Sequence, residues 1–197
     1  MDFSNITIDG QNLEVDSIFK SAMHAILNEN KNVFVTGSAG TGKTFFLKTL
    51  CKITKRNIAV LAPTGIAALN AKGRTIHSFF NFPFRPLLPQ DNFYTFKINE
   101  DKIELFNRID LLIIDEISMV RCDVFVNIDR ILRYYRKNGK PFGGVQVVII
   151  GDPFQIPPVV NQNEYSILRD HYNGRFFFST DSFKSANFQT YELKQVR

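Results

Sequence analysis

The sequence contains two cysteines, three histidines and no tryptophan. The few cysteines and histidines argue against a disulfide-stabilised scaffold and against a metal-binding motif. Cys51 and Cys122 lack C-x-x-C spacing, so they predict reduced thiols rather than a disulfide framework. The scattered histidines form no metal-ligand pattern. No apolar run approaches the roughly 18 residues of a membrane-spanning helix, and the acidic, polar first ten residues do not resemble a secretory signal. We therefore expect an intracellular protein that does not enter a membrane.

The chain has 197 residues, of which 44% are hydrophobic and 22% charged. These values are ordinary for one soluble domain with a sizeable core. The net charge of +5 permits a polyanionic partner without requiring one. Twenty phenylalanines are present, and we expect most of them in the core.

Hydrophobic periodicity predicts strands that alternate with helices, which is typical of a doubly wound α/β domain. The predicted strands cover 32–36, 57–62, 110–115 and 145–150, with two further short strands at 175–178 and 190–193. Helices are predicted at 16–28, 45–53, 64–70 and from 124 to about 138. The stretch 81–107 breaks the alternation, and it predicts either a long surface loop or a small inserted subdomain.

The octapeptide GSAGTGKT at 37–44 fits the phosphate-loop pattern G-x-x-x-x-G-K-[ST] at every required position. It lies between a predicted strand and a predicted helix, where backbone N–H groups can wrap a phosphate chain. Lys43 is expected to reach the β- and γ-phosphates of a nucleotide, and the Thr44 hydroxyl is expected to ligate Mg²⁺. The predicted nucleotide-binding residues are Gly37, Ala39, Gly40, Thr41, Gly42, Lys43, Thr44, Phe45 and Gln155.

Two acids directly follow the apolar strand DLLII. Beside a phosphate loop, Asp115 is expected to hold Mg²⁺ and Glu116 to polarise an attacking water. Adjacent Asp and Glu residues suit hydrolysis, although two solvated acids at a strand end would be the ordinary interpretation of the pair alone.

A third segment, GDPFQIPPVV at 151–160, follows the last long strand. The Gln155 amide can donate to a γ-phosphate and its carbonyl can accept from a water, so it can sense the nucleotide state. Pro157 and Pro158 would keep this loop rigid. By spacing alone the segment could equally be an ordinary turn.

Four segments together resemble the Pif-type, RecD-like DNA helicases of superfamily one, which move 5′ to 3′. They are GSAGTGKT (37–44), APTGIAALNAKGRTIHSFF (62–80), LLIIDEISMV (111–120) and PFGGVQVVIIGDPFQIPPV (141–159), and their order and spacing agree with that family over 32–160. The resemblance implies a RecA-like ATPase motor domain over 1–197, with a small wedge-like insertion at about 81–107. It also implies ATP and Mg²⁺ as cofactors, and roles in DNA repair, recombination or telomere maintenance.

The same resemblance assigns roles to individual residues. Thr44 and Asp115 hold the metal, and the catalytic set is Glu116, Lys43, Gln155 and Arg197. The residues expected along a single-stranded DNA track are Pro63, Thr64, Gly65, Thr75, His77, Phe79 and Pro157. The family's upstream glutamine, which recognises adenine, has no counterpart within 17–27.

The residue types along this track suit DNA binding independently of the resemblance. The Thr64 hydroxyl and nearby N–H groups suit a DNA phosphate, and His77 with one or two phenylalanines of 79–84 offers faces on which bases stack. Most phenylalanines of that run are expected in the core. Arg130, Arg133 and Lys137 are interpreted as a solvated helix face.

The expected partners are single-stranded DNA and duplex or junction DNA. The family's second RecA-like domain is not found in these 197 residues, so we expect nucleotide binding with weak turnover and no unwinding by this chain alone. Two alternatives use the same phosphate loop. An ATP-sensing nucleic-acid-binding module would bind without DNA-stimulated turnover, and a small-molecule kinase would have no use for the segments 73–80 and 151–159.

Overall fold

A six-stranded parallel sheet organises the structure, a computed structural model that describes residues 6–8, 11–13, 16–92 and 96–194. The strand order is β5-β4-β6-β7-β3-β8. The bounds are β3 Val33–Thr36, β4 Ile58–Ala62, β5 Arg74–Thr75, β6 Leu111–Ile114, β7 Gln146–Ile150 and β8 Gln189–Glu192. A separate antiparallel pair consists of β1 (Ile6–Ile8) and β2 (Gln11–Leu13).

Eight α-helices connect and cover the strands of the described chain. They are α1 Ser17–Leu27, α2 Lys43–Ile53, α3 Gly65–Asn70, α4 Ile76–Phe80, α5 Glu100–Arg108, α6 Cys122–Tyr135, α7 Gln162–Tyr172 and α8 Asp181–Ala186. Short 3₁₀ turns occur at Ile117–Met119, Pro141–Gly144 and Phe177–Ser179.

The sheet has a hydrophobic core on each face, as β6 shows most clearly. Leu111 and Ile113 pack into the cluster formed with α1 and α2, whereas Leu112 and Ile114 pack into the larger cluster formed with α4, α5 and α6. All four β6 residues are buried, which explains the continuous apolar run that the sequence shows there. The predicted mostly parallel sheet with helices on both faces is confirmed.

Most predicted elements are found within one or two residues of their expected bounds, but the strand expected at 175–178 was wrong. Only an isolated bridge between Arg121 and Phe176 forms there, followed by a 3₁₀ turn. The hydroxyls of Ser179 and Thr180 donate to the carbonyls of Phe176 and Phe177, each at 2.7 Å. These local side-chain bonds close a turn in place of a strand ladder.

The stretch 81–107 packs onto the main core instead of forming a core of its own. Its buried residues Phe82, Leu87, Phe96 and Phe106 belong to the cluster that also contains α6. The Leu87 N–H donates to the buried Asp123 carboxylate at 2.7 Å, and its carbonyl accepts from the Tyr172 hydroxyl at 2.6 Å. The stretch is therefore neither a simple surface loop nor separately folded, and its wedge role stays a prediction.

The Asp129 carboxylate, on α6, connects three segments of this core. It accepts from Arg133 Nε at 2.7 Å, from the Phe142 N–H at 2.6 Å and from the Ser182 hydroxyl at 2.8 Å. The carboxylate, the Phe142 N–H and the Ser182 hydroxyl are buried, so these two donors have no alternative acceptor in water. It fixes the 3₁₀ turn before β7 and the start of α8 against one helix.

We predict that Asp129→Ala lowers the free energy of unfolding by about 3 kcal/mol, because it leaves a buried N–H, a hydroxyl and a guanidinium without their acceptor. Urea denaturation followed by circular dichroism measures this change. The control is Asp170→Ala, whose side chain is 58% exposed and pairs only with the adjacent Arg169; it is expected to change stability by less than about 0.5 kcal/mol. Equal effects of the two variants would contradict the role given to Asp129.

Candidate nucleotide and DNA sites

Three of the predicted motifs lie at the carboxyl ends of neighbouring strands. The phosphate loop follows β3, the acid pair follows β6, and the loop with Gln155 follows β7, which lies between the other two. Ligands of open parallel sheets bind at this edge. The strand order thus brings together segments that are far apart in the sequence, at 37–44, 115–116 and 151–160.

Two glycines give the phosphate loop its shape. A Cβ at Gly37 would lie 2.6 Å from Thr41 Oγ1 and 2.7 Å from the Leu193 carbonyl, so no other residue fits this tight approach. Gly42 adopts φ +93° immediately before α2, a conformation that side chains rarely tolerate. The helix begins at Lys43, two residues before its predicted start, so its first N–H groups face the loop.

The side chains of the loop are arranged for a polyphosphate. The Lys43 ammonium lies over the loop and donates to the carbonyls of Gly37 at 2.6 Å and Ser38 at 2.9 Å. The Thr41 hydroxyl also donates to the Ser38 carbonyl, at 2.9 Å. Ala39, Gly40 and Thr44 are exposed, whereas Phe45 is half-buried against Phe19.

The acid pair has distinct environments. The Asp115 N–H donates to the Leu61 carbonyl at 2.8 Å, which holds the residue beside the end of β4. Burial raises the pKa of Asp115 to about 6; a hydrogen bond from the Glu116 backbone N–H lowers it, the Glu116 charge raises it and Lys43 lowers it. Glu116 adopts φ +51°, an unusual conformation for a residue with a side chain and one that recurs at functional sites.

The donor set at this edge fits Mg²⁺. Asp115 and Thr44 supply hard oxygen atoms, and Mg²⁺ is commonly held by one or two carboxylates together with substrate phosphates. Among the described residues, no group of three or more His, Cys, Asp or Glu side chains forms an all-protein metal cage.

The loop after β7 projects from the sheet edge. The Gln155 N–H donates to the Asp152 carbonyl at 3.0 Å, which closes a turn. Pro157 is exposed and Pro158 is buried. Phe154 and Ile156 are exposed on either side of Gln155. Arg197, the remaining predicted catalytic residue, lies outside the described residues.

Three of the predicted DNA-track residues, Pro63, Thr64 and His77, line a groove of about 320 Å³ at the same sheet edge. The other four, Gly65, Thr75, Phe79 and Pro157, are not among its lining residues. Thr64 and Thr75 also cap α3 and α4, since their hydroxyl oxygens accept from the N–H groups of Ala67 and Ser78 at 3.2 Å. Gly65 is the first residue of α3. The groove is lined by Pro63, Thr64, Ile76, His77, Phe84, Met119, Val120, Arg121, Val124 and Val159.

The structure buries one phenylalanine that was predicted to contact DNA and exposes another beside His77. Phe79 is 3% exposed and packs on Phe80 and Phe106, so it belongs to the core and is not available for base stacking. Phe84 is 93% exposed and stacks on the His77 ring, with centroids 5.0 Å apart and planes 9° apart. The sequence analysis chose Phe79 from the FFNFPF run, and this choice was wrong because helix α4 and the turn after it decide which rings face inward.

Two charged residues shape the groove around His77. Burial lowers the pKa of His77, Arg121 lowers it further and Asp123 opposes this, so the ring is neutral at physiological pH. The Arg121 guanidinium binds the buried Asp123 carboxylate through Nε at 3.0 Å and Nη2 at 2.8 Å. Arg121 thereby forms a fixed wall of the groove, which sequence reasoning did not identify.

A larger cavity lies away from the phosphate loop, the acid pair and the loop with Gln155. It has a volume of about 630 Å³ and lies at the amino ends of the strands, where Arg56 donates to the α1 carbonyls of Ile26 and Leu27. Arg136 similarly binds the carbonyls of Phe106, Asn107 and Ile109. These guanidiniums complete helix ends, so this cavity is structural.

The basic residues of α6 were expected to form a solvated face. Arg130 instead donates to Asn127 and to the Pro89 carbonyl, while Arg133 pairs with Asp129. Lys137 is exposed, as expected. The two arginines therefore join α6 to its neighbours, which corrects that expectation.

Across the described chain, no helix is both long and apolar enough to cross a membrane.

Comparison with known proteins identifies the family. The model of the PIF1-like helicase family matches residues 11–172, most of the chain. The chain belongs to the PIF1-like helicase family. The family predicted from the four segments is thus confirmed.

Individual relatives agree with this assignment. The ATP-dependent DNA helicase PIF1 of Emericella nidulans is 38% identical over 156 residues, which cover 74% of this chain and 21% of that protein. The helicase RRM3 of Saccharomyces cerevisiae is 34% identical over 179 residues, covering 88% of this chain and 24% of that protein.

Solved structures show the same domain. Pif1 from Bacteroides in complex with ADP-AlF3 and single-stranded DNA superimposes with a TM-score of 0.86 and 47% identity, covering 93% of this chain and 42% of that one. The chain thus spans about a quarter or less of these curated relatives and less than half of the solved helicase.

We predict that Gly37→Ala weakens Mg·ATP binding by at least about ten-fold and lowers stability by about 2 kcal/mol, since its Cβ would collide with Thr41 and Leu193. Nucleotide titration and thermal unfolding measure the two effects. Gly139→Ala is the control, because a Cβ there meets no neighbouring atom, and it should match the wild type within about 0.5 kcal/mol. Unchanged ATP binding in Gly37→Ala would be inconsistent with a phosphate loop that depends on this close approach.

Proposed function

We propose that the chain is an ATP-hydrolysing motor domain of a DNA helicase that moves 5′ to 3′ along single-stranded DNA. The observation that supports this most directly is that segments of the nucleotide edge also line the DNA groove. Met119, Val120 and Arg121 follow the acid pair within a few residues, and Val159 follows Gln155 in the loop after β7. A conformational change in either nucleotide-facing segment would therefore also move residues that line the groove.

The proposed chemistry assigns one task to each group. Lys43 and the phosphate-loop N–H groups bind the β- and γ-phosphates. Glu116 accepts a proton from the attacking water, and Gln155 donates to the γ-phosphate. Arg197 would neutralise charge on the same phosphate.

Thr44 and Asp115 would hold Mg²⁺, which when bound supplies positive charge to the β- and γ-phosphate oxygens. Asp115 must be ionised to act as a ligand. The neighbouring Lys43 favours that ionised form, against the effect of burial.

The DNA groove is proposed to hold bases on the His77–Phe84 stack and phosphates near Thr64 and Thr75. Stacking on aromatic faces tolerates any sequence, which a translocating motor requires. Phe79 is left out of this proposal because it is buried. The comparison with Bacteroides Pif1, solved with single-stranded DNA, supports the partner class.

ATP hydrolysis with and without oligo-dT tests the motor function. We expect stimulation by oligo-dT in the wild type, loss of turnover with retained ATP binding in Glu116→Gln, and loss of binding in Lys43→Ala. ATP and DNA binding without any stimulated hydrolysis, even when the rest of the helicase is supplied, would instead support an ATP-sensing module.

We predict that Phe84→Ala weakens binding of oligo-dT by about 1–3 kcal/mol, because it removes a stacking face. Fluorescence anisotropy measures the affinity, and thermal unfolding should stay unchanged because the ring is exposed. Tyr134→Ala, which removes a half-exposed ring on α6, is the matched control and should bind as the wild type does. Equal affinities of Phe84→Ala and wild type would exclude the ring from the track.

We also propose that duplex unwinding requires parts of the relatives that lie outside the matched region. A strand-displacement assay on a forked duplex with this chain alone should show no unwinding above background. Robust displacement would overturn that part of the proposal while leaving the nucleotide and DNA sites intact.

A further inference from the structure

The charges of the chain are divided unevenly along the sequence. Residues 30–90 contain nine lysines and arginines and not one aspartate or glutamate. At the chain's average acid content about six acids would be expected in a stretch of this length. The rest of the chain has 15 basic and 19 acidic residues, so the whole positive excess comes from this stretch.

The fold brings three of these cations together on the α2 side of the sheet. Lys48 and Lys52 lie on α2, and Lys72 follows α3; all three are exposed. Among the described residues none of them forms an ion pair, whereas Arg85 of the same stretch binds Asp91. We call this set the α2–α3 basic face.

The three lysine side chains of this face surround a single depression. Lys48, Lys52 and Lys72 line a cavity of about 420 Å³, whose other lining residues are mostly apolar, including Leu47, Ile58 and Val60. Lys48 and Lys52 are four residues apart on one helix, so their backbone positions are about 6 Å apart along the axis. The basic face therefore presents three ammonium groups around one depression.

We propose that the α2–α3 basic face binds the phosphate backbone of duplex DNA. The lining residues of its cavity include no aromatic ring, unlike the His77–Phe84 groove, so it has no platform for unpaired bases. Dispersed exposed ammonium groups contact the outward phosphates of a duplex without reading sequence. This inference deepens the proposed function, on which it rests for the identity of the nucleic acid.

The helix α3 connects the two surfaces. It begins after Thr64, which lines the single-strand groove, and it ends at Asn70, which lines the basic cavity. Six helical residues span about 9 Å. A junction between single-stranded and duplex DNA could therefore engage both surfaces of one domain.

The test combines Lys48→Gln, Lys52→Gln and Lys72→Gln in the full 197-residue chain. Affinity for a blunt duplex and for oligo-dT is measured by anisotropy between about 50 and 200 mM salt. We expect duplex binding to weaken by about ten-fold or more, with the slope of log K against log salt reduced by about 2.7 for three lost phosphate contacts. Binding to oligo-dT and thermal unfolding should stay unchanged.

A charge-matched control separates this surface from net charge. The triple variant Lys137→Gln, Lys140→Gln and Lys184→Gln removes three exposed lysines outside the basic face. The proposal is overturned if both triple variants lose duplex affinity equally, if oligo-dT binding falls as much as duplex binding, or if the wild type binds no duplex. Affinity for polyglutamate, an acidic polymer that is not a nucleic acid, is measured in the same way. The proposal is also overturned if the variant with Lys48, Lys52 and Lys72 replaced loses affinity for polyglutamate but not for the duplex.

The experiment distinguishes this inference from the proposed motor function. Loss of the motor function would appear as absent oligo-dT-stimulated hydrolysis in the wild type. The duplex measurement does not depend on that result, since none of the three substituted lysines belongs to the nucleotide or single-strand site.

Discussion

The burial of a parallel sheet on both faces is the constraint on which the rest of this structure depends. Hydrophobic residues cover each side of β6 and β7, so polar groups can leave the sheet only where strands end. The order β6-β7-β3 then places three polar loops side by side at the carboxyl edge. The position of the candidate nucleotide site therefore follows from the burial of both faces of the sheet.

Local strain accompanies this arrangement where the loops must approach each other. Glu116 has a positive φ, and Gly37 leaves no room for a side chain beside Thr41 and Leu193. Such conformations persist because the surrounding sheet fixes both ends of each loop. The hydrogen bond from the Asp115 N–H to the Leu61 carbonyl is one of these fixed points, and it also links the acid pair to the strand that leads into the DNA groove.

Electrostatics divide the domain into surfaces with different chemistry. The nucleotide edge combines one ammonium with two carboxylates, and the groove combines neutral aromatic faces with a guanidinium already neutralised by Asp123. The α2–α3 basic face has only positive charge. This separation of charge suits the proposed binding of a nucleotide, of unpaired bases and of duplex phosphates at three different surfaces.

The sequence by itself determined the strands β3, β4, β6, β7 and β8, the phosphate loop, the acid pair and the family, because each depends on local spacing and on short contiguous patterns. Tertiary structure alone decided which phenylalanine of the FFNFPF run is exposed, since the direction of α4 buries Phe79 and leaves Phe84 beside His77. It also decided that Arg130 and Arg133 bind neighbouring segments and that 175–178 forms a turn. Those outcomes depend on partners far away in the sequence, which no local pattern specifies.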